Sequence, residues 1–397
     1  MTLLQDILFV AYAIVGPLAW AGLGVSLFAG RQRMKLIGRK PLEMPADPPQ
    51  VTILIPAKDE EERIAACIES TLKQDYPHFQ IIAINDRSVD RTGPILDELA
   101  TKNSRLTVLH IPLGGLPAGW TGKCHALHRA CQQATGEWIF FVDSDVLLAS
   151  HALSLMMKQS VAREYDFFSV LTRLECYSFW ERLTLPLAAG GVSIMYTVSM
   201  TNNDGRRVAF ANGQCMLVRS SVYAAVGGHE AVRHLITEDV ELARLVKSKD
   251  YKTRLAWGGD FVSTRMYSKV GQMFRGWGRI YSGLSRRRPW RIVAGMTFVL
   301  LSGFSVYAAA AWGVHRLLSH DDPGWLVAAG IHFALMTGAL AAIYHWSGNP
   351  RRYALLFPAG GAMMLALFTF ALKWCATGKI EWRGTAFDQN ISPATRT

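Results

Sequence analysis

Four long apolar runs without any Asp, Glu, Lys or Arg constrain the fold of this chain more than any other feature. They cover residues 7–28, 292–314, 325–346 and 353–372. Each run is close to the length of about 20 residues that a helix needs to cross a bilayer. Because most charged residues lie between the first two runs, we predict a transmembrane anchor at 1–30, a basic linker at 31–47, C-terminal transmembrane segments at 289–376 and a polar tail at 377–397.

Two of the C-terminal runs contain residues that can interrupt a plain spanning helix. The third run includes His332 and His345, and the fourth includes Pro358 and Gly360. Each is therefore either a plain span or a kinked, tilted or re-entrant segment, because broken helices occur at membrane depth where protein covers them. If all three C-terminal runs cross, the tail lies opposite the central region, whereas a re-entrant fourth run would place both on one side.

The distribution of basic residues predicts the orientation of the chain. Only Asp6 is charged before the first run, whereas five basic residues follow it closely, namely Arg31, Arg33, Lys35, Arg39 and Lys40. The positive-inside rule then places the central region in the cytoplasm, and we expect an integral protein of a bacterial inner membrane. Basic residues beside a membrane attract anionic lipids by about 1 kcal/mol each. We expect no nucleic-acid partner, because no known binding module accompanies the net charge of +11.

The central region, residues 48–288, alternates between short β-rich runs and longer helical patterns. Strands are predicted at 51–55, 79–85, 106–111 and 137–142, with helices between them at 60–73, 91–102 and 123–134. This alternation predicts an α/β domain in which a parallel sheet carries helices on both faces and binds ligands at the carboxyl ends of its strands. No GxGxxG follows the first strand, and Gly122-Lys123 lacks the Ser or Thr of a P-loop. The sequence therefore disfavours NAD-dependent enzymes and P-loop NTPases.

Two aspartates at the end of the fourth predicted strand suggest a site for a divalent cation. Asp143 and Asp145 directly follow the apolar run 138–142. Mg²⁺ is typically bound by one or two carboxylates together with the phosphates of a substrate. The six cysteines show no CxxC spacing, which favours reduced thiols over a zinc site or a disulfide framework. Taken alone, the acidic pair also fits a polar turn, and Thr237-Glu-Asp239 fits the start of a helix.

The order of these motifs resembles the inverting glycosyltransferases of family 2, whose fold is known as GT-A, a Rossmann-like mixed sheet with helices on both faces. The resemblance extends roughly from Pro48 to Arg288. It implies that Asp239, preceded by Glu238, is the catalytic base. It also implies a metal site at Asp143 and Asp145, and a nucleotide-sugar site formed by Pro56, Ala57, Asp59, Glu60, Asp86, Lys123 and Asp143.

One motif of that family is matched only with an insertion. Many members carry Gln-x-x-Arg-Trp, whereas this chain has Gln272-Met-Phe-Arg275-Gly-Trp277. The resemblance therefore implies donor-binding roles for Arg275 and Trp277 less directly than for the other residues. Together with the neighbouring Gly276-Trp-Gly278, this segment is closer to the carotenoid, hopanoid and ceramide glucosyltransferase branches than to the processive polysaccharide synthases.

From this resemblance we expect transfer of a sugar from a UDP-hexose, with Mg²⁺ or Mn²⁺ as the cofactor. Membrane attachment favours a lipid acceptor of the hopanoid, carotenoid, sphingoid or glycerolipid class at the cytoplasmic leaflet. A polysaccharide synthase of the same family and a catalytically inactive membrane scaffold are the alternatives. The sequence leaves open the sugar, the ion and the oligomeric state.

The aromatic and apolar segment 177–200 is open to three interpretations. It contains Phe179-Trp180, then Pro186 and Gly190-Gly191 within an apolar stretch. The pattern is typical of an interfacial segment, of part of an acceptor pocket, or of a buried helix of the soluble domain.

Overall fold

A computed structural model describes residues 3–34, 42–196, 198–267, 269–377, 379–382 and 385–388. Its contacts divide the chain into two compact units. The strand unit contains residues 33–175, 196–266 and 379–397. The apolar unit contains residues 1–32, 176–195 and 267–378. Residues 176–195 and 267–288, which the sequence places in the soluble domain, thus group with the apolar helices.

The elements alternate along the chain. The strands are β1 (Val51–Ala57), β2 (Phe79–Asp86), β3 (Leu106–Ile111), β4 (Trp138–Val142), β5 (Val146–Leu148), β6 (Phe167–Leu171), β7 (Arg173–Leu174), β8 (Cys215–Arg219), β9 (Thr253–Trp257), β10 (Val262–Thr264), β11 (Lys379–Trp382) and β12 (Thr385–Asp388). The first ten helices are α1 (Leu3–Met34), α2 (Ile64–Leu72), α3 (Thr92–Lys102), α4 (Gly122–Cys131), α5 (Ala152–Ala162), α6 (Phe179–Met195), α7 (Val198–Thr201), α8 (Ser220–Ala225), α9 (Gly228–Ala231) and α10 (Glu238–Ser248). The later helices are α11 (Val270–Leu284), α12 (Pro289–Phe298), α13 (Ser305–His320), α14 (Gly324–Trp346) and α15 (Phe357–Thr377).

The main sheet of the strand unit is mixed. Its strand order is β3-β2-β1-β4-β8-β6-β9, and a small sheet has the order β5-β10-β7. Strands β1 to β4 are parallel, as predicted. Strand β8 is antiparallel to both β4 and β6, so the wholly parallel sheet expected from the alternation is wrong beyond β4. The mixed sheet implied by the family resemblance is confirmed.

The burial of β1 on both faces explains its unbroken apolar sequence. Successive side chains of a strand point to opposite faces. Ile53 and Ile55 accordingly join the hydrophobic cluster that contains Ile64 of α2, whereas Leu54 joins the cluster that contains Leu127 of α4. A strand covered on both faces has no need of polar alternation, as expected for the centre of a parallel sheet.

The parallel register brings the polar loops of the strand unit to one edge. Ala57 at the end of β1 pairs with Asn85, and Leu54 pairs with Phe141 of β4. The loops after β1, β2 and β4 therefore leave the sheet side by side. The ends of these strands and the loops after them carry Pro56, Ala57, Asp59, Glu60, Asp86, Asp143 and Asp145, which the sequence singles out.

Within the apolar unit, two glycine contacts require close packing between helices. A Cβ atom on Gly360 of α15 would lie 2.8 Å from a methyl group of Leu187, and one on Gly313 would lie 2.6 Å from the backbone N of Leu326. Among the described residues, five helical segments are long and apolar enough to cross a membrane, namely Leu3–Gly30, Phe179–Thr201, Pro289–His320, Gly324–Trp346 and Arg351–Thr377. Four of these correspond to the predicted runs, and the segment around α6 is the additional one.

Candidate active site

The loops after β1 and β2 are joined by reciprocal hydrogen bonds. The Glu60 N–H donates to Thr92 Oγ1 at 2.8 Å, and the Val89 N–H donates to Asp59 Oδ1 at 2.9 Å. The Glu61 N–H donates to Asp90 Oδ2 at 3.0 Å. These bonds hold residues 59–61 outside the helix, so α2 begins at Ile64 and not at Glu60 as predicted. The predicted nucleotide residues Pro56, Ala57, Asp59 and Glu60 thus lie at the end of β1 and in one fixed loop.

Asp86 at the end of β2 is paired with its neighbour. Arg87 Nε donates to Asp86 Oδ1 at 2.7 Å, and its Nη2 donates to Asp86 Oδ2 at 2.8 Å. Arg87 has a φ of 57°, in the left-handed region that non-glycine residues rarely adopt. A Cβ atom on Gly122 would lie 2.9 Å from Asp86 Oδ2, so only glycine leaves room for this pair at the start of α4. The sequence indicated Asp86 but not Arg87.

Lys123 brings two distant motifs together. Its Nζ lies 2.7 Å from Asp143 Oδ1 and 3.0 Å from Glu238 Oε1. Burial alone would lower the pKa of Lys123, but Asp143, Glu238 and Asp239 together raise it above its usual value. The ammonium group therefore stays charged, and it holds the end of β4 against the start of α10.

Asp239 is held in place by backbone N–H groups. The Gly213 N–H donates to Asp239 Oδ2 at 2.7 Å, and the Val240 N–H donates to Oδ1 at 2.8 Å. Burial, and then the adjacent charge of Glu238, raise the pKa of Asp239 to about 7, against the opposing effects of Lys123 and these two bonds. A carboxylate in this state exchanges a proton near neutral pH, which is the property that a general base requires.

A polar network behind Gly213 fixes the backbone that carries this N–H. The Asn212 side-chain amide donates to Val170 O at 3.0 Å, and the Asn212 N–H donates to Ser169 Oγ at 2.8 Å. On the other side of Gly213, Thr172 Oγ1 donates to Gln214 Oε1 at 2.5 Å. Nothing in the sequence of residues 211–214 indicated a bond to Asp239.

The two aspartates after β4 fit a divalent cation only in part. Asp143 and Asp145 offer hard carboxylate oxygens after the end of β4. Burial raises the pKa of the Cys67 thiol, and the charges of Asp145 and Asp143 raise it further. Among the described residues, no group of three or more His, Cys, Asp or Glu side chains is arranged to hold a metal. In proteins, Mg²⁺ is usually held by one or two carboxylates together with waters and substrate phosphates, and Asp143 and Asp145 could supply the carboxylates.

Arg275 and Trp277 lie on α11 in the apolar unit. Arg275 is exposed, whereas Trp277 is buried with its ring centroid 6.3 Å from that of Tyr281. Their predicted roles in donor binding stay predictions, as do the roles of the residues in the strand unit.

Comparison with known sequences adds to this geometry. Residues 52–227 match the family model described as "Glycosyl transferase family 2". Over 346 residues the chain is 28% identical to the 4,4'-diaponeurosporenoate glycosyltransferase of Staphylococcus aureus strain MRSA252, covering 85% of this chain and 88% of the relative. It is 30% identical to the protein of that name from strain USA300, over 57% of this chain and 59% of the relative. The second match thus spans less than two thirds of that relative.

Comparison with solved structures shows the fold. The mannosyltransferase PcManGT from Pyrobaculum calidifontis, solved in complex with GDP-Man and Mn²⁺, superposes with a TM-score of 0.52 and 18% sequence identity. The alignment covers 92% of this chain and 99% of that structure. At this identity the likeness bears on architecture alone, and it confirms a mixed α/β sheet of the GT-A type.

Proposed function

We propose that this chain is a glycosyltransferase with a family 2 domain, and that it transfers a hexose from a UDP-sugar to a lipid at the cytoplasmic leaflet, with inversion at the anomeric carbon. One observation carries the proposal. Lys123 contacts both Asp143, from the predicted metal motif, and Glu238, which precedes the predicted base. The predicted leaving-group side and the predicted acceptor side of the reaction thereby meet at a single ammonium group.

On the donor side, departure of the nucleoside diphosphate places negative charge on the phosphate oxygens. Lys123 supplies a fixed positive charge for these oxygens, because its three neighbouring carboxylates keep it protonated. Asp143 and Asp145 would hold a Mg²⁺ or Mn²⁺ ion, which acts as a Lewis acid toward the leaving group when it is bound. The side chain of Asp86 and the joined loops after β1 and β2 would orient the nucleoside.

On the acceptor side, Asp239 would accept the proton of an attacking hydroxyl. The two backbone N–H groups fix both carboxylate oxygens, so that the side chain does not rotate away during the transfer. A hydroxyl acceptor needs this base, because it must lose its proton as the new bond forms. A carboxylate acceptor has no proton to lose, and a protonated Asp239 would instead donate a hydrogen bond to it.

Two features support a lipid acceptor. Five described helical segments are long and apolar enough to enter a membrane, and a soluble sugar acceptor would require no such attachment. A relative that aligns with 85% of the chain is named for diaponeurosporenoate, a carotenoid acid. A carotenoid-type carboxyl or hydroxyl group is therefore the first acceptor to test.

The test is transfer by the purified full-length protein in nanodiscs. Radiolabelled UDP- and GDP-hexoses are supplied with total bacterial lipid extract, in the presence of Mg²⁺, Mn²⁺ or a chelator. We expect label from a UDP-sugar to enter a discrete lipid of low mass, and the chelator to abolish transfer. Treatment of the product with mild alkali then identifies the acceptor group, because a glycosyl ester is cleaved and a glycoside is not.

Asp239→Asn and Asp260→Asn form the matched pair of variants for this assay. Both remove one carboxylate, but Asp260 is an exposed residue outside the cluster around Lys123. Label in a long polymer would identify a polysaccharide synthase instead. Nucleotide binding without any transfer, from every donor and with every lipid, would overturn the proposal in favour of a scaffold.

A further inference from the structure

We propose that α6 and α15 enter the bilayer from the side of the strand unit and leave it on that same side. Only α1, the continuous helix Pro289–His320 and α14 would then cross. The two re-entrant helices would contact the acyl chains of the leaflet nearest to the strand unit. This proposal concerns membrane topology and does not depend on which sugar or acceptor the protein uses.

Both ends of α6 connect to the strand unit. Before α6, the Glu175 N–H donates to Thr264 O at 2.8 Å. After α6, the Asn202 side-chain amide donates to Leu255 O at 2.9 Å and its carbonyl accepts from the Leu255 N–H at 2.8 Å. A helix that crossed the bilayer would separate its flanking residues by the hydrocarbon thickness of about 30 Å, on opposite faces. Because both flanks belong to one folded unit, α6 must return to the face from which it entered.

The contacts between α14 and the long helix Pro289–His320 define depth within the apolar unit. A Cβ atom on Gly313 would lie 2.6 Å from the Leu326 N, and His332 Nε2 lies 2.8 Å from Ser302 O. Leu326 comes before His332 on α14, whereas their contacts Gly313 and Ser302 come in the reverse order on the long helix, so the two helices are antiparallel. By the same register, the last turn of α14 is level with the first turn of α12.

Helix α15 begins halfway along that long helix. The ring of Phe357 lies 5.7 Å from that of Phe304, which is near the midpoint of Pro289–His320. Further along α15, Phe368 lies 3.2 Å from a Cβ atom built on Gly295. At its end, Cys375 Sγ lies 3.4 Å from Ser282 Oγ, on the helix that precedes α12. Helix α15 therefore runs from the middle of the long helix back to the start of α12.

The segment between α14 and α15 connects the end of α14, which is level with the first turn of α12, to the midpoint of the long helix Pro289–His320. It includes the 3₁₀ helix Arg351–Leu356, in which Arg351 and Arg352 are exposed and Tyr353 lies 5.9 Å from Tyr344 of α14. A 3₁₀ helix rises by about 2 Å per residue, so this short segment reaches halfway across the bilayer but not through it. The descending segment and α15 together form a re-entrant hairpin.

The two re-entrant elements pack on each other, because Leu187 of α6 lies against Gly360 near the start of α15. Helix α6 also contacts the last turns of α14, where Tyr344 OH donates to Leu183 O at 2.8 Å. The outward surfaces of the two re-entrant elements are apolar, with exposed fractions of 45% for Trp180 and 58% for Leu355. Acyl chains of the near leaflet are the occupant that matches this surface and this depth.

The hairpin formed by β11 and β12 agrees with this topology. It follows α15 directly, and contacts group it with the strand unit. Two crossings after α11 return the chain to its starting side, and α15 adds none. The basic residues of the tail then lie on the same side as the basic linker, as the positive-inside rule requires.

Labelling of single cysteines from one side of the membrane tests the topology. Cys131 and Cys176 are changed to serine in the full-length chain, and the four buried cysteines are kept as the unlabelled background. Cysteines are then introduced one at a time at four exposed residues: Ser104→Cys in the strand unit, Ser319→Cys at the end of α13, and Tyr177→Cys and Asn203→Cys around α6. Thr397→Cys reports on the tail. A membrane-impermeant maleimide is applied to sealed right-side-out and inverted vesicles. Labelling after detergent solubilisation gives the total for each position.

We expect the Tyr177, Asn203 and Thr397 variants to react from the same face as the Ser104 variant, and the Ser319 variant from the opposite face. If Tyr177 and Asn203 reacted from opposite faces, α6 would cross and the proposal would fail for that helix. If Thr397 reacted from the face of Ser319, α15 would cross. Because labelling does not require turnover, either failure is distinguishable from a failure of the proposed glycosyl transfer.

Discussion

The strand unit and the apolar unit achieve specific packing by opposite means. In the strand unit, Lys123, Asp143 and Glu238 are held together by charge at 2.7 and 3.0 Å. In the apolar unit, glycines leave room for large side chains, as Gly191 does for the Tyr281 hydroxyl, which donates to Ala188 O at 2.8 Å. We therefore expect a substitution that removes a charge in the strand unit to lower kcat. An added methyl group in the apolar unit should instead lower the stability of the fold.

The strongest test of this contrast is Asp239→Asn. With a hydroxyl acceptor we expect kcat to fall by about 10²–10⁴-fold, because an amide cannot accept the proton. The variant should stay folded with a lowered thermal midpoint in detergent, since the amide oxygen can still accept from the Gly213 N–H but the amide nitrogen cannot accept from the Val240 N–H. Initial rates and thermal unfolding are measured beside Asp260→Asn, which should match the parent protein in both.

The same variant also distinguishes the acceptor group. With a carboxylate acceptor, Asp239→Asn should retain most of its activity, because no proton has to be removed. A large loss of activity with such an acceptor, in a fully folded variant, would show that Asp239 is not acting as a base for the acceptor.

The next largest effect is expected for Lys123→Met. Loss of one positive group that stabilises developing charge typically lowers kcat by about 10²–10³-fold. It also leaves Asp143 and Glu238 without their shared cation, so the KM for the donor should rise. Lys123→Arg is the matched control, since it keeps the charge and should be the more active variant. Equal activity of the two variants would contradict the role of the ammonium group at the leaving diphosphate.

The sequence indicated where the residues proposed for the donor side would lie more directly than it indicated the surroundings of Asp239. Asp143, Lys123 and the loop around Asp59 each follow or precede a regular strand or helix, and parallel strands bring such loops to one edge. The bond from Gly213 to Asp239 was not predictable, because β8 is antiparallel to β4 and a local pattern does not give the position of an inserted strand. The pairing of Arg87 with Asp86 depends on a left-handed backbone conformation that the sequence does not indicate.

In the apolar unit, Gly191→Ala should lower the stability of the fold and leave kcat unchanged. The new methyl group would overlap the Tyr281 hydroxyl and displace it from Ala188 O. Overpacking of this kind costs about 1–3 kcal/mol. Gly330→Ala is the control, because a Cβ atom at Gly330 on α14 meets nothing within 4 Å. We expect thermal unfolding in detergent to separate the two variants, with the kcat of the folded fraction unchanged in both; equal midpoints would contradict the packing argument.

Composition predicted the apolar segments of this unit but not their paths. The run 353–372 is long enough to span, yet contacts from Phe357 and Phe368 make α15 start at the midpoint of its neighbour. Segment 177–200, whose sequence was open to three interpretations, contains α6, which packs with the apolar helices. Hydropathy measures whether a segment tolerates lipid, whereas the path depends on which helices it packs against.

The smallest expected effect concerns the network behind Gly213. Thr172→Val removes the donor to Gln214 Oε1 and an acceptor for the Asn212 side chain, and so loosens the backbone that donates to Asp239. That bond lowers the pKa of Asp239, so weakening it should raise this pKa further.

With a hydroxyl acceptor, activity requires ionised Asp239 and therefore increases as pH rises through this pKa. The acidic limb of kcat/KM against pH should consequently move to higher pH in Thr172→Val, by less than about one unit, which corresponds to roughly 1.4 kcal/mol. Thr172→Ser keeps the hydroxyl and should restore the parent profile. A uniform loss of rate with an unmoved acidic limb would indicate general loosening of the fold, and the network would then have no specific influence on the base.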